Sequence, residues 1–346
     1  MTKSMLDPAS RSAAAIGRPA KFVAVLTAAA ALVAGCGSGP GQVNTAAIID
    51  GRTISVDDVQ SRVEKVLRDN KFVQQLQQQR KLDLLSRSIL TREVSYELLA
   101  KAAEREQLAV DEDQVNKLVA ERGGQGQPPA EAMEANLLQA TDAAFDPREV
   151  ARNEVIAAEL ASNYLSRLGV TFTGAVLTGT DAKRDAQDMG KKLAADPADA
   201  QKIVGEVEQG IPSFKMNLVN GVLIAQQVGF ELATSPLMST LQNNVVVFSL
   251  APHMVQDTGG ANSWFVALVN QRNLNDSLTD QEKQAVESVP PALLTKMGQR
   301  LASQYIGEIK LEISPRYGVW DQVGNAVAPR AEEVAGYVYP ARAAKP

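Results

Sequence analysis

Residues 46–59 read AAIIDGRTISVDDV, and they decide how the fold begins. Ala46-Ala47-Ile48-Ile49 is a short apolar run ending in β-branched residues. Asp50-Gly51 is a strong turn signal, and Arg52-Thr53-Ile54 returns. Ser55 then stands where a helix N-cap belongs, with Asp57 and Asp58 in the first turn. Val56, Val59, Val63, Val66 and Leu67 recur at helical spacing through Asn70. A small hairpin, or a strand and turn, therefore feeds an amphipathic helix.

Working outward, Lys71 to Gln107 contains no proline or glycine, which predicts one continuous helix. Leu82, Leu85, Ile89, Val94, Leu98, Leu99 and Ala103 form its apolar face. Charges of alternating sign (Arg87, Arg92, Glu93, Lys101, Glu104, Arg105, Glu106) form a solvated one. Leu108 to Asp113 restarts the pattern, with Asp111 as cap and Val115, Leu118 and Val119 facing inward. The spacing of Asp111-Glu112-Asp113 is that of a capped first turn rather than a calcium loop. Gly123 to Pro129 is a loop, a short helix spans 130–140, and Asp146-Pro147 caps a further helix that Gly169 ends.

At Val170 the period changes. Residues 170–177 read as a strand, 181–194 and 197–209 as helices, and 245–248 and 264–269 as buried strands. This succession fits a small α+β domain. Thr279-Asp280-Gln281-Glu282 is a capping box. Its helix pauses at Pro290-Pro291 and resumes over 292–308, followed by a strand over 309–313. Residues 323–346 read as a tail, with 336–346 frayed.

The front of the chain is an address. Lys3, Arg11, Arg18 and Lys21 precede an uncharged run, Phe22 to Val33, which is short for a membrane span. Val33-Ala34-Gly35-Cys36 looks like a bacterial lipobox. That resemblance implies cleavage between Gly35 and Cys36, a diacylglyceryl group on the Cys36 thiol, and acylation (palmitate) of the new amino terminus. A plain signal peptide with an incidental cysteine, or a membrane anchor, are the alternatives. Gly37 to Asn44 (GSGPGQVN) is a flexible tether.

Composition narrows the function. Cys36 is the only cysteine and His253 the only histidine among 346 residues. An intramolecular disulfide, a thiolate metal cluster and a His-pair metal site are therefore excluded. A serine triad would have to pass through His253. The leader holds four basic residues and one acid, so of 35 basic and 40 acidic residues the remainder keeps 31 and 39, a net charge of −8. That argues against nucleic acid as the main partner. Aromatic residues make up 5% of the chain, which does not favour stacking on sugars. No phosphate loop, dinucleotide fingerprint, nucleophile elbow or zinc-protease motif occurs.

Two segments carry a family resemblance: Ala47-Ile48-Ile49-Asp50-Gly51 with Ile54-Ser55-Val56-Asp57-Asp58-Val59, and Leu108-Ala109-Val110-Asp111-Glu112-Asp113-Gln114-Val115. Their order behind a signal sequence resembles the N-terminal region of SurA/PrsA-type extracytoplasmic chaperones and foldases. The closing Pro315-Arg316-Tyr317-Gly318-Val319-Trp320-Asp321 resembles that family's usual end. The family's central slot holds a parvulin-type prolyl isomerase, with a histidine in its opening strand and another in its closing strand. Here those places read Gly174-Ala175-Val176 and Ser263-Trp264-Phe265, and the family's Gly-Gly-x-Leu-Gly turn is missing. His253, after Ala251-Pro252, reads as a loop residue.

The resemblance implies a predominantly helical α+β fold in which the N- and C-terminal segments form one helical chaperone module and a small parvulin-like insert stands apart as a lid or spacer. The expected divisions are a signal peptide (1–35), a lipidated tether (36–45), a SurA-like helical domain (46–169), a degenerate parvulin-like domain (170–275), a returning helix and strand (276–322) and a tail (323–346). The implied function is a lipid-anchored holdase on the extracytoplasmic face of the cell membrane. Its partners are unfolded or nascent secreted proteins and, through Cys36, the membrane. Neither a catalytic residue, a cofactor, a metal nor a nucleic-acid partner is expected. An active prolyl isomerase and an assembly adaptor with one dedicated partner are the rival readings.

Overall fold

Asp50 and Gly51 both adopt positive φ (49° and 83°), so the Asp-Gly pair makes the tight turn its chemistry favours between β1 (Thr45–Ile49) and β2 (Arg52–Ser55). The Ser55 hydroxyl accepts from the Asp58 amide and the Asp58 carboxylate accepts from the Ser55 amide. This capping box starts α1 (Val56–Leu67). The structure, a computed structural model, describes residues 44–122, 128–129, 131–222, 232–250 and 263–342. The signal segment, the Gly35–Cys36 junction, most of the tether and His253 lie outside the described residues.

The helix expected over 71–107 is two: α2 (Lys71–Gln78) and α3 (Leu82–Glu106). Arg80 takes a left-handed conformation (φ 58°), and the Lys81 amide donates back to the Leu76 carbonyl, which closes α2. An arginine in a role usually filled by glycine leaves no sequence mark. Three further helices follow: α4 (Glu112–Arg122), α5 (Met133–Ala144) and α6 (Pro147–Leu165). The Asp146 carboxylate accepts from the Arg148 and Glu149 amides, and Pro147 opens α6 as expected.

Next comes β3 (Gly169–Thr178), then α7 (Ala182–Ala195), α8 (Ala200–Gly205) and β4 (Gly210–Asn217). A short α9 (Pro236–Ser239) precedes β5 (Asn244–Leu250) and β6 (Ser263–Asn273). With β10 (Gly336–Pro340) they form a five-stranded antiparallel sheet, ordered β10-β5-β6-β3-β4. One face packs Ala175, Val247, Val266 and Leu268 against Ala186, Leu193 and Val204 of α7 and α8. The other face, with Phe172, Val246, Phe248 and Phe265, belongs to the main core, which runs back to Ala46. The sheet is therefore no detached lid or spacer: the chain from Asn44 onward is one compact unit. The physical reason is that both faces are apolar, so the second must also be covered.

The C-terminal segment returns to the front. Thr279 and Glu282 form the expected capping box at the head of α10 (Asp280–Glu287). Then α11 (Pro291–Ala302) packs along α6, and β7 (Leu311–Ile313) pairs antiparallel with β1. Gly298 makes the helix contact close, since a Cβ there would lie 2.8 Å from the Ala157 Cα and nearer still to its carbonyl. At the far end of this joint the Glu106 carboxylate accepts from the hydroxyls of Tyr164 (2.6 Å) and Tyr305 (2.7 Å). Arg272, at the end of β6, reaches Gln304 at 2.9 Å.

Of the residues expected to be a tail, 323–342 are built into the fold. A β8–β9 hairpin (Val319–Asp321, Ala326–Ala328) comes first, and β10 then forms an edge of the large sheet. Tertiary bonds hold it. The Asp321 carboxylate accepts from the Val323, Gly324 and Ala335 amides, and the Val327 amide donates to the Thr91 hydroxyl. The Arg300 guanidinium donates to the Val323 and Thr234 carbonyls.

Candidate functional site

A broad concavity lies where the N-terminal helices meet the returning α11. It is a cleft of about 730 Å³ walled by α4, α5, α6 and α11. Its apolar lining includes Leu118, Leu138, Val155, Ala158, Pro291 and Ala292. A second hollow of about 370 Å³ continues on the other side of Leu138, sharing Arg122 and Asp142 with the first. Leu138 is 53% exposed, on a helix that buries Asn136, Ala140, Thr141 and Ala144. Met133, on the same helix, is 44% exposed. Met189, Met216, Met238 and Met297, by contrast, are buried.

A charged ladder lies beside this apolar lining. Asp142 of α5 pairs with Arg92 of α3 and, at 3.7 Å, with Arg122 of α4; Arg122 also pairs with Glu154 of α6. Burial pushes the Asp142 carboxyl above its ordinary value, against the pull of Arg92 and Arg122. For Arg122, burial pulls down, but the hydrogen bond and charge of Glu154 outweigh it and the net shift is upward. Arg122 keeps a buried Nε with no hydrogen-bond partner. Below the ladder, Tyr96 packs edge-on to Phe145 at 5.4 Å, and burial raises its hydroxyl pKa.

The α4 wall differs from the others. It buries Val115 against Ala151 and Val155 of α6, a small cluster that meets the main core through the partly buried Val110. Around that cluster Glu112 pairs with Arg148 and Arg152, and Asn116 accepts from Arg148 at 2.7 Å. The Asp111 carboxylate caps the helix, accepting from the Asp113 and Gln114 amides, as its spacing implied. Burying one valine contributes about 1.5–3 kcal/mol, and half-exposed ion pairs such as these about 0.2–1 kcal/mol each.

An apolar cleft ringed by paired charges can hold extended apolar chain. Among the described residues, the cleft lining holds no nucleophile–base pair of the kind acyl transfer needs. Among the described residues no three His, Cys, Asp or Glu side chains cluster as a metal site would. The two segments where a parvulin histidine pair would sit are neighbours, since β3 pairs with β6 and Val176 lies opposite Phe265, Leu177 opposite Trp264. The residues brought together there are apolar and largely buried.

Sequence reasoning named none of the cleft residues as a site. Leu118 has the spacing of an inward-facing residue, and Leu138 and the Arg92–Asp142–Arg122–Glu154 ladder carry no local signal. Residues 15–153 match the family model described as "SurA-like N-terminal domain", a stretch that includes both segments from which the family resemblance was drawn. No curated protein sequence and no solved structure matches the chain.

Proposed function

We propose that this chain is a lipid-anchored extracytoplasmic chaperone that holds unfolded secreted proteins in the cleft between α4, α5, α6 and α11. The observation that carries the reading is the cleft itself. It encloses about 730 Å³, it presents Leu138 to solvent, and it lies where the SurA-like stretch meets the returning C-terminal helix. A holdase must accept many sequences, which favours an adaptable apolar surface over a few fixed polar groups. The central sheet is read as a parvulin-like insert without efficient isomerase activity, because apolar residues occupy the paired β3 and β6 positions where the family places histidines.

The anchor is the diacylated Cys36, exposed after removal of residues 1–35, with the short tether keeping the cleft near the membrane. A Cys36→Ala change should move the protein from the membrane fraction to the soluble one without altering its unfolding midpoint. Unchanged tight membrane retention would remove lipidation from the account.

The holdase reading is tested by mixing the purified mature protein with an unrelated, chemically denatured protein on dilution. Near-equimolar amounts should suppress light scattering, and Leu138→Asp should weaken the effect. Absence of any suppression would sink the reading. A proline-limited refolding assay run alongside separates the rival: a rate clearly above the uncatalysed control would restore the isomerase.

A further inference from the structure

The helix α4 supplies one whole wall of the cleft through Leu118, Glu121 and Arg122, yet it is attached differently from α3, α5 and α6. Val115 is the only residue it buries, and the small cluster that receives Val115 meets the main core through the partly buried Val110. Five residues before α4 begins, Gln107 ends α3 in a left-handed conformation (φ 54°), so the helical rod of α3 does not extend into α4. The remaining fastenings are polar: half-exposed ones from Glu112 to Arg148 and Arg152 and from Asn116 to Arg148, and partly buried ones from Arg122 to Glu154 and Asp142. Arg122 makes these bonds at a cost, because its buried Nε is left without a partner.

We infer that α4 is a displaceable wall: it undocks from α6 as a unit, opening the cleft and exposing Ala151 and Val155 beside Leu138. The paired charges set its closed position, while the small apolar cluster keeps the undocked state accessible. Resting on the chaperone reading above, the occupant that benefits is an extended apolar segment of an unfolded polypeptide, which gains the surface that Val115 and Leu118 leave. The same apolar patch on α6 is then covered by α4 in the empty protein and by client in the loaded one, so the resting protein does not present it to other copies of itself.

Native-state hydrogen exchange on the full mature protein tests this. Amides in 112–122 should exchange at least about ten-fold faster than those in 150–165, and faster again as salt is raised to about 0.5 M, since exposed ion pairs are screened. Glu112→Gln, which removes two fastenings, should accelerate exchange in 112–122 several-fold and leave 150–165 unchanged. It should also raise the association rate with a permanently unfolded, carboxymethylated protein by a similar factor. Exchange in α4 as slow as in α6, or insensitive to both salt and Glu112→Gln, would overturn the inference. So would faster exchange in the variant with no change in association. If neither protein binds the unfolded probe, the chaperone reading fails, and the exchange rates alone still decide whether α4 is displaceable.

Discussion

Replacing Gly298 with alanine sets two effects of opposite sign against each other. Gly298 lies inside α11, where alanine is favoured over glycine by about 1 kcal/mol on helix propensity alone. A Cβ at that position, however, would meet the carbonyl oxygen, the carbonyl carbon and, at 2.8 Å, the Cα of Ala157 in α6. These are backbone atoms, so no rotamer change relieves the clash and the helices must separate. The contact they form is dry: Met297, Leu301, Ala302, Ala157, Leu160 and Ala161 are all essentially buried. Overpacking of this kind costs about 1–3 kcal/mol, and a radial gap of about 0.5–1 Å also forfeits a quarter to a half of the dispersion well for each lining contact. The clash therefore outweighs propensity, and a net loss of about 2 kcal/mol is expected. Urea unfolding followed by circular dichroism measures it. Gly205→Ala, where the added methyl meets nothing within 4 Å and φ is unstrained, serves as the control, with a gain of up to about 1 kcal/mol. A Gly298→Ala protein as stable as the parent, or more so, would refute the argument that α11 docks on α6 at this separation.

Other changes probe other joints. Arg300 is buried, which pulls its pKa down to about 10, and its hydrogen bonds go to the Thr234 and Val323 carbonyls. Arg300→Ala should cost about 3 kcal/mol and raise hydrogen exchange in β10 before it affects β1. Burial raises the Glu93 carboxyl pKa against the pull of Arg62 and Arg52. With the folded pKa above the unfolded one, the stability this group contributes is fully present below the unfolded value and is lost as pH rises through the folded value. Glu93→Gln lacks that loss, so its stability relative to the parent should improve between pH 4 and pH 7. Urea midpoints at the two pH values check the sign.

Local chemistry was legible from the sequence where the signal and its cause lie within a few residues. The turn at Asp50-Gly51, the capping boxes at Ser55 and Thr279, and the Asp146-Pro147 start all form as their side chains dictate. The break at Arg80 was hidden because a non-glycine residue takes the left-handed conformation. Strand β4 was hidden because it is an edge strand, carrying Pro212 and a register shift between Phe172 and Gly174 in its pairing with β3. The order of 319–340 depends on Arg300, Thr91 and Asp321, partners that are distant in sequence or mutually set by the fold. Cleft residues were the least legible. An exposed leucine on α5 has the same spacing as a buried one, and the return of α11 completes the larger hollow that Leu138 lines.

The central claim is that unfolded chains occupy that hollow, and site-specific photocrosslinking tests it most directly. A benzophenone amino acid is placed at Leu138 in one sample and, in another, at exposed Lys192 of α7, away from the cleft lining. Each is irradiated with a denatured client. Crosslinking from position 138 should exceed that from 192 by about ten-fold, the ratio that 1.4 kcal/mol of local preference gives. Equal yields from the two positions, or a higher yield from 192, would contradict the account.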